Sequence, residues 1–161
     1  MYTLKDFLGK EWQVDCMGCA IRNNVMLVPG GIIKVTNNFC IHQHPLIPLE
    51  GFIVIASIKH IQSISEMTDL EYNEFYSLVR TVHSAIQSVT SVKYSSIIQE
   101  ENSPHFHLWF FPWTKKVIEK YGNPSLTKIR NIMEDFRRLL LSNLEWKKLE
   151  DTIKKIKLLI P

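Results

Sequence analysis

The 161-residue chain is short of glycine (six) and proline (seven), which excludes a low-complexity linker or a collagen-like protein. No apolar run approaches the roughly 18 residues that a membrane span requires. Three cysteines are an odd count and a poor base for a disulfide framework. No glycine-rich phosphate loop is present, since Pro29-Gly30-Gly31-Ile32 reads as a hairpin turn. The first residues, Met1 to Phe7, lack a basic stretch leading into an apolar core, so no secretory signal is expected and the cytoplasm is the expected compartment. No internal repeat is visible. What remains is 45% hydrophobic and 22% charged, enough apolar content to rule out a disordered chain and to build one compact domain.

Charge is uneven. Residues 114–161 carry 12 basic against 6 acidic residues, whereas residues 1–113 carry 7 against 10; together they give the net +3. A basic tail of this kind serves as a solvated helical face, the reading that the i,i+4 pair Glu150/Lys154 favours. A polynucleotide partner is the disfavoured alternative.

Residues 3–9 are expected to form a short helix. Val25 to Val28, then Ile32 to Val35, read as strand, turn, strand. Phe39-Cys40-Ile41 follows the Asn37-Asn38 turn signal, and Cys40 reads as a small buried apolar residue. Pro45-Leu46-Ile47-Pro48 cannot be a central strand, because each proline removes a ladder donor. Phe52 to Ala56 is a strand at the sheet centre. Thr68 and Glu71 form a capping box that opens a helix with Phe75, Leu78, Val79, Val82, Ile86 and Val89 on one stripe. Tyr94–Gln99 and Phe106–Phe111 read as strands. Asn123-Pro124 is expected to cap a helix striped by Ile129, Ile132, Phe136, Leu139 and Leu140. A last helix near 145–159 buries Leu149, Ile153 and Ile156. This order predicts an α+β fold with an antiparallel sheet.

Two features carry chemistry. Cys16 and Cys19 are spaced as a metal knuckle or a redox pair. The helix that should follow a thioredoxin-type pair is not evident in the sequence. His105 and His107 stand at i and i+2, which on a strand places them on the same face about 6–7 Å apart. Such a pair can bind a metal or serve nucleophilic and acid–base catalysis.

The stretch His105-Phe106-His107-Leu108-Trp109-Phe110-Phe111 resembles the signature of the histidine triad (HIT) superfamily of nucleotide hydrolases and transferases, with Trp109 where the third histidine belongs. Cys16-Met17-Gly18-Cys19 is similar to the knuckle of zinc-containing members. Phe52 to His60 resembles the family's central strand and the histidine after it. Pro45 to Gly51 resembles its Pro-x-x-Pro-Gly turn with two extra residues. Ser103-Pro104-His105 is similar to the galactose-1-phosphate uridylyltransferase branch. The likeness spans residues 16–113.

The resemblance implies an HIT-like antiparallel sheet of about five strands with a long helix packed on it, and extra C-terminal helices. Residues 1–113 would form the catalytic, nucleotide-binding domain and residues 114–161 a helical extension packed on it. It implies a nucleotide hydrolase or nucleotidyltransferase working at an α-phosphate. His107 would be the nucleophile, passing through a nucleotidyl-histidine intermediate. The substrate would be a dinucleoside polyphosphate, a nucleoside phosphoramidate or a nucleotide sugar. Gln99, Asn102 and Ser103 fall where the family places groups that donate to the phosphate or the leaving oxygen; plain turn chemistry is their other reading. Cys16, Cys19, His60 and His105 would supply two thiolates and two imidazoles to a structural zinc.

His42 and His44 replace family residues that contact ribose and base; their simplest reading is surface histidines at a strand end, able to meet phosphate when protonated. His44 and Trp109 would line the substrate site. Trp109 donates one hydrogen bond but cannot carry a proton, so a non-catalytic nucleotide-binding or regulatory module is the alternative. A homodimer is implied, and no membrane.

Overall fold

The computed structural model describes residues 1–139 and 141–161; Leu140, expected on a helix stripe, lies outside the described residues. A five-stranded antiparallel sheet forms the centre, in the order β3-β4-β5-β7-β6. Its strands are β3 (Ile32–Val35), β4 (Phe39–Gln43), β5 (Ile53–Ser57), β6 (Tyr94–Gln99) and β7 (His107–Trp113). The α+β expectation holds. No described helix is long and apolar enough to cross a membrane.

Two corrections concern the N-terminal quarter. Residues 3–9 are not a helix. They contribute β1 (Tyr2–Lys5), which pairs antiparallel with β2 (Glu11–Val14). Asp6 fixes the turn between them. Its Oδ1 accepts from the backbone N–H groups of Leu8 and Lys10, and its Oδ2 accepts from Trp12 Nε1. Val25 to Val28 is not a strand either. Met26 and Val28 are buried beside Ile21, while Val25 and Leu27 are exposed; the alternation is satisfied by an irregular segment packing locally.

Helix α2 (Asp69–Val89) begins at the expected capping box, with Thr68 Oγ1 and the Glu71 carboxylate exchanging bonds with the first turn. Its apolar stripe covers one sheet face, where Phe75, Val82 and Ile86 meet Ile41, Ile53, Ile55 and Phe110. Helix α5 (Asn143–Leu159) joins the same core through Leu149, Ile153 and Ile156. It approaches so closely that a Cβ on Gly30 would sit 2.7 Å from Ile153 Cδ1, and Gly30 also has φ +69°. Glycine is required there on both counts.

Helices α3 (Lys115–Tyr121) and α4 (Leu126–Arg137) cover part of the other face. Ile129, Ile132 and Phe136 pack there on Ile47, Phe52, Phe111 and Trp113. Helix α4 has Ser125 rather than Asn123 at its N-cap position, without a side-chain bond to the first turn. Pro124 therefore precedes the cap, where its fixed backbone shapes the entry turn.

Candidate functional site

The face of the sheet opposite α2 is left partly open, and register decides what lies on it. His42 pairs with Val54, and Val54 with Trp109; Cys40 pairs with Ala56, and Ala56 with His107. Residues directly opposite share a face, so His42, His107 and Trp109 look the same way. His44 follows two residues after His42 with the same parity. A cleft opens here, walled by His42, His44, Ser103, His107 and Trp109 among others. The rings adjoin one another: His107 lies 5.2 Å from Trp109 between centroids, and Trp109 lies 5.8 Å from His44.

Backbone partners fix the protonation of each imidazole. His107 Nδ1 donates to the backbone carbonyl of His105 at 2.9 Å. The neutral ring then carries its lone pair on Nε2, the atom a nucleophilic histidine needs. His42 Nδ1 donates to the Gln43 carbonyl at 2.8 Å. His44 is reversed: its Nδ1 accepts from the backbone N–H groups of Leu46 at 3.2 Å and Ile47 at 3.1 Å. Its proton must therefore sit on Nε2.

The expectation of surface histidines at positions 42 and 44 is overturned. Both are buried, because β4 is an interior strand whose end is roofed by the 45–52 segment. Burial drives the pKa of His42 down to about 4 and holds His44 well below the usual histidine value. Neither meets phosphate as a cation near neutrality. Cys40 is buried as expected, and desolvation pushes its thiol up to about 11.

Beside the cleft, four side chains converge. Cys16, Cys19, His60 and His105 each offer a ligand atom, and these atoms all lie within 4.8 Å of one another. Cys16 Sγ is 3.2 Å from His105 Nδ1, and Cys19 Sγ is 3.3 Å from His60 Nδ1. His105 Nε2 donates to the Ser57 carbonyl at 2.8 Å, leaving Nδ1 as the free lone pair. That outer bond is the arrangement that orients a metal-binding imidazole. The chemistry of the set, two soft thiolates and two imidazoles, suits tetrahedral zinc, which would be closed to substrate.

A helix does follow the cysteine pair, contrary to expectation. Cys16 caps α1 (Met17–Arg22), with Cys19 N–H directed at its sulfur. Both sulfurs nevertheless face imidazole nitrogen, and neither cysteine is in a disulfide. Gly18 sits in the knuckle because a Cβ there would come within 2.9 Å of the His105 ring. The Lys59–Glu71 ion pair, at 2.6 Å, ties the segment carrying His60 to the start of α2.

The remaining candidates separate. Ser103 lines the cleft and its Oγ donates to the His105 carbonyl at 3.2 Å. Asn102 is exposed and stands outside the cleft wall. Gln99 pairs with Leu108, so its register assigns it to the α2 side of the sheet; it does not line the cleft, and its buried Nε2 has no hydrogen-bond partner among the described residues. Arg130 escaped the sequence reading. It comes from α4, its guanidinium lies 5.6 Å above the Trp109 ring, and it pairs with Glu100. Only the surplus of basic residues after residue 113 hinted at it.

No family model matches the sequence, and no curated protein matches it. Solved structures do. A hypothetical histidine triad nucleotide-binding protein from Sulfolobus tokodaii is 16% identical, with a TM-score of 0.63 over 89% of this chain and 93% of its own. A HIT-like protein involved in cell-cycle regulation from Bartonella henselae is 13% identical, with a TM-score of 0.61 over 92% and 99%. A zinc-bound histidine triad family protein from Mycobacterium smegmatis is 14% identical, with a TM-score of 0.60 over 88% and 94%. The chain has the histidine triad fold.

Proposed function

We propose that this chain, having the histidine triad fold, is a nucleotide hydrolase or nucleotidyltransferase that works at an α-phosphate through His107. The carrying observation is the His107 Nδ1–His105 carbonyl bond at 2.9 Å, which in the neutral ring places the lone pair on Nε2. The Nε2 lone pair forms a bond to the α-phosphorus, and the bond from phosphorus to the leaving group breaks with its electron pair departing. In the second step an oxygen of water or of an acceptor phosphate bonds to phosphorus. The P–N bond then breaks, its electrons return to Nε2, and the water's proton passes to solvent. Splitting the displacement in two lowers each barrier. Ser103, its hydroxyl turned away from the His105 carbonyl, is the proposed donor to the phosphoryl oxygens. His44 and Trp109 form the substrate wall, while Gln99 and Asn102 act at most through the loop they flank.

Cys16, Cys19, His60 and His105 are the proposed zinc ligands. Zinc would supply structural cross-linking there, not Lewis-acid chemistry. Because His105 also presents the carbonyl that orients His107, the metal site and the nucleophile share one residue. Residues 1–113 are proposed as the catalytic domain and 114–161 as an extension sharing its cores. The outer edge of β6 pairs with no described strand and exposes Tyr94 and Ile97, which supports a homodimer. Three unpaired cysteines suit the cytoplasm.

The test is to mix protein with a nucleoside phosphoramidate, a dinucleoside polyphosphate or a nucleotide sugar, quench, and measure intact mass. A nucleotidyl adduct on the wild type, absent from His107→Ala, supports the reading. Nucleotide binding with no adduct and no turnover on the wild type favours the second reading, a non-catalytic nucleotide-binding module. Trp109 in the third position is the observation behind it, since indole cannot pass a proton.

A further inference from the structure

Cys16 belongs to two places at once. It is one corner of the four-residue cluster, and with Met17, Gly18 and Ile21 of α1 it also lines the cleft that holds His107. The cluster itself is unevenly exposed. Cys16 and His105 are buried, Cys19 is half-buried and His60 is open to solvent. Cys19 Sγ therefore stands on the outer side with Cys16 Sγ behind it, and the two sulfurs lie within 4.8 Å of each other. The Cys19 backbone N–H, directed at Cys16 Sγ at 3.5 Å, keeps the inner sulfur turned toward the outer residue. One helical turn joins the pair, Ala20 N–H donating to the Cys16 carbonyl at 3.1 Å, a backbone separation that a disulfide spans. The third thiol, Cys40, is buried in β4 and is not part of the cluster.

An accessible sulfur backed by a second one is the arrangement that a hydroperoxide oxidises in two steps. In the first, a lone pair on Cys19 Sγ bonds to one peroxide oxygen and the O–O bond breaks. The other oxygen leaves with the electron pair, takes a proton and becomes water or an alcohol, and Cys19 becomes a sulfenic acid. In the second, Cys16 Sγ bonds to Cys19 Sγ and the S–O bond breaks, its oxygen leaving as hydroxide to be protonated to water. The two sulfurs have lost two electrons and the peroxide has gained them. A disulfide removes both thiolates from the metal set, and two imidazoles alone cannot complete a tetrahedral site. It also changes two things at the cleft, the wall that Cys16 and α1 supply and the setting of His105, whose carbonyl orients His107.

We propose that Cys16 and Cys19 are a reversible modification site for hydroperoxides, and that their oxidation to a disulfide releases zinc and weakens nucleotide binding in the cleft. This rests on the zinc and nucleotide readings given above and adds a control to them. In a reducing compartment such a disulfide is transient, and small thiols reset it.

The experiment treats zinc-loaded wild type with hydrogen peroxide and follows three quantities: zinc released to a chromogenic chelator, intact mass without reductant, and calorimetric affinity for adenosine and uridine 5′-monophosphates. Zinc release is expected in step with a mass loss of about 2 Da, the two hydrogens given up to one disulfide. Peptide mapping should join Cys16 to Cys19. Nucleotide affinity should fall about tenfold, the size of a typical coupling between sites, and return after dithiothreitol and zinc. Cys40→Ala should behave as the wild type, and Cys19→Ser should give no disulfide. Mass and zinc content unchanged by peroxide that oxidises free glutathione overturn the proposal, as does a disulfide to Cys40 or an affinity unmoved by the Cys16–Cys19 bond. Wild type purified without zinc overturns the zinc reading, and the mass and affinity measurements then decide the thiol pair by themselves. Failure of both nucleotides to bind the reduced protein overturns the nucleotide reading and the coupling together.

Discussion

The molecule contains two histidine pairs with the same spacing and different chemistry. His42 on β4 with His44 just past its end, and His105 just before β7 with His107 opening it, each stand at i and i+2. In all four rings one nitrogen is bonded to the backbone, and the choice of nitrogen and partner decides the other. His105 gives up Nε2 and turns Nδ1 toward two thiols. His107 gives up Nδ1 and keeps a lone pair on Nε2 in the cleft. His42 matches His107 in tautomer but is sealed at the floor, and His44 is protonated on the nitrogen where His107 is not. Side-chain spacing selects the face of a strand; main-chain hydrogen bonds select the function of the ring.

The comparison is broken most severely at His107. His107→Ala is expected to lower turnover at least about 1,000-fold, with the melting temperature nearly unchanged because the ring is only half-buried; steady-state kinetics on a phosphoanhydride substrate would read it. If His42→Phe cost as much, the distinction between a ring sealed at the floor and a ring open to the cleft would carry no meaning.

Cys16→Ser tests the metal half of the second pair. Loss of one thiolate from the set should release zinc, seen by elemental analysis, and lower the melting temperature by about 5–10 °C. Because His105 serves both the metal set and His107, adduct formation should fall as well. Purified wild-type protein without zinc and with both thiols titratable would contradict the assignment.

The first pair makes a pH prediction. His42 has a folded pKa of about 4 against 6.5 when unfolded. Between those values the unfolded chain binds more protons, so stability rises with pH across the window. The contribution is complete above pH 6.5 and is lost as pH falls toward 4, an effect of about 3 kcal/mol. His44 acts in the same direction. Denaturant melts from pH 4 to 7 should show this slope, and His42→Phe should flatten it. A variant as steep as the wild type would show that His42 is not held neutral by the fold. The smallest effect is expected at Gly18→Ala. The added methyl presses on the His105 ring and should weaken zinc about tenfold while leaving the fold intact.

Much of this was legible in the sequence. Tyr94–Gln99 is a strand with the bounds that β-branched and aromatic residues suggest, and α2 starts at its capping box. The knuckle was legible because Cys-x-x-Cys spacing is a local geometric requirement, and its two histidines were supplied by the family resemblance. What failed depended on partners distant in sequence. Tyr2–Lys5 has no strand pattern of its own and becomes extended only through β2. The burial of His42 and His44 follows from β4 being interior, which no local pattern reveals. Gln99 faces away from His107 because of its register with Leu108. Arg130 reaches the Trp109 ring through the packing of α4, and in the sequence it is one basic residue among twelve after residue 113.

The most direct measurement is the nitrogen-15 NMR tautomer of each imidazole in the folded protein near pH 7.5. The account predicts neutral His107 and His42 protonated on Nδ1, and neutral His44 protonated on Nε2. A His107 ring found protonated on Nε2 would contradict it, since the nitrogen assigned to attack phosphorus would have no lone pair to use.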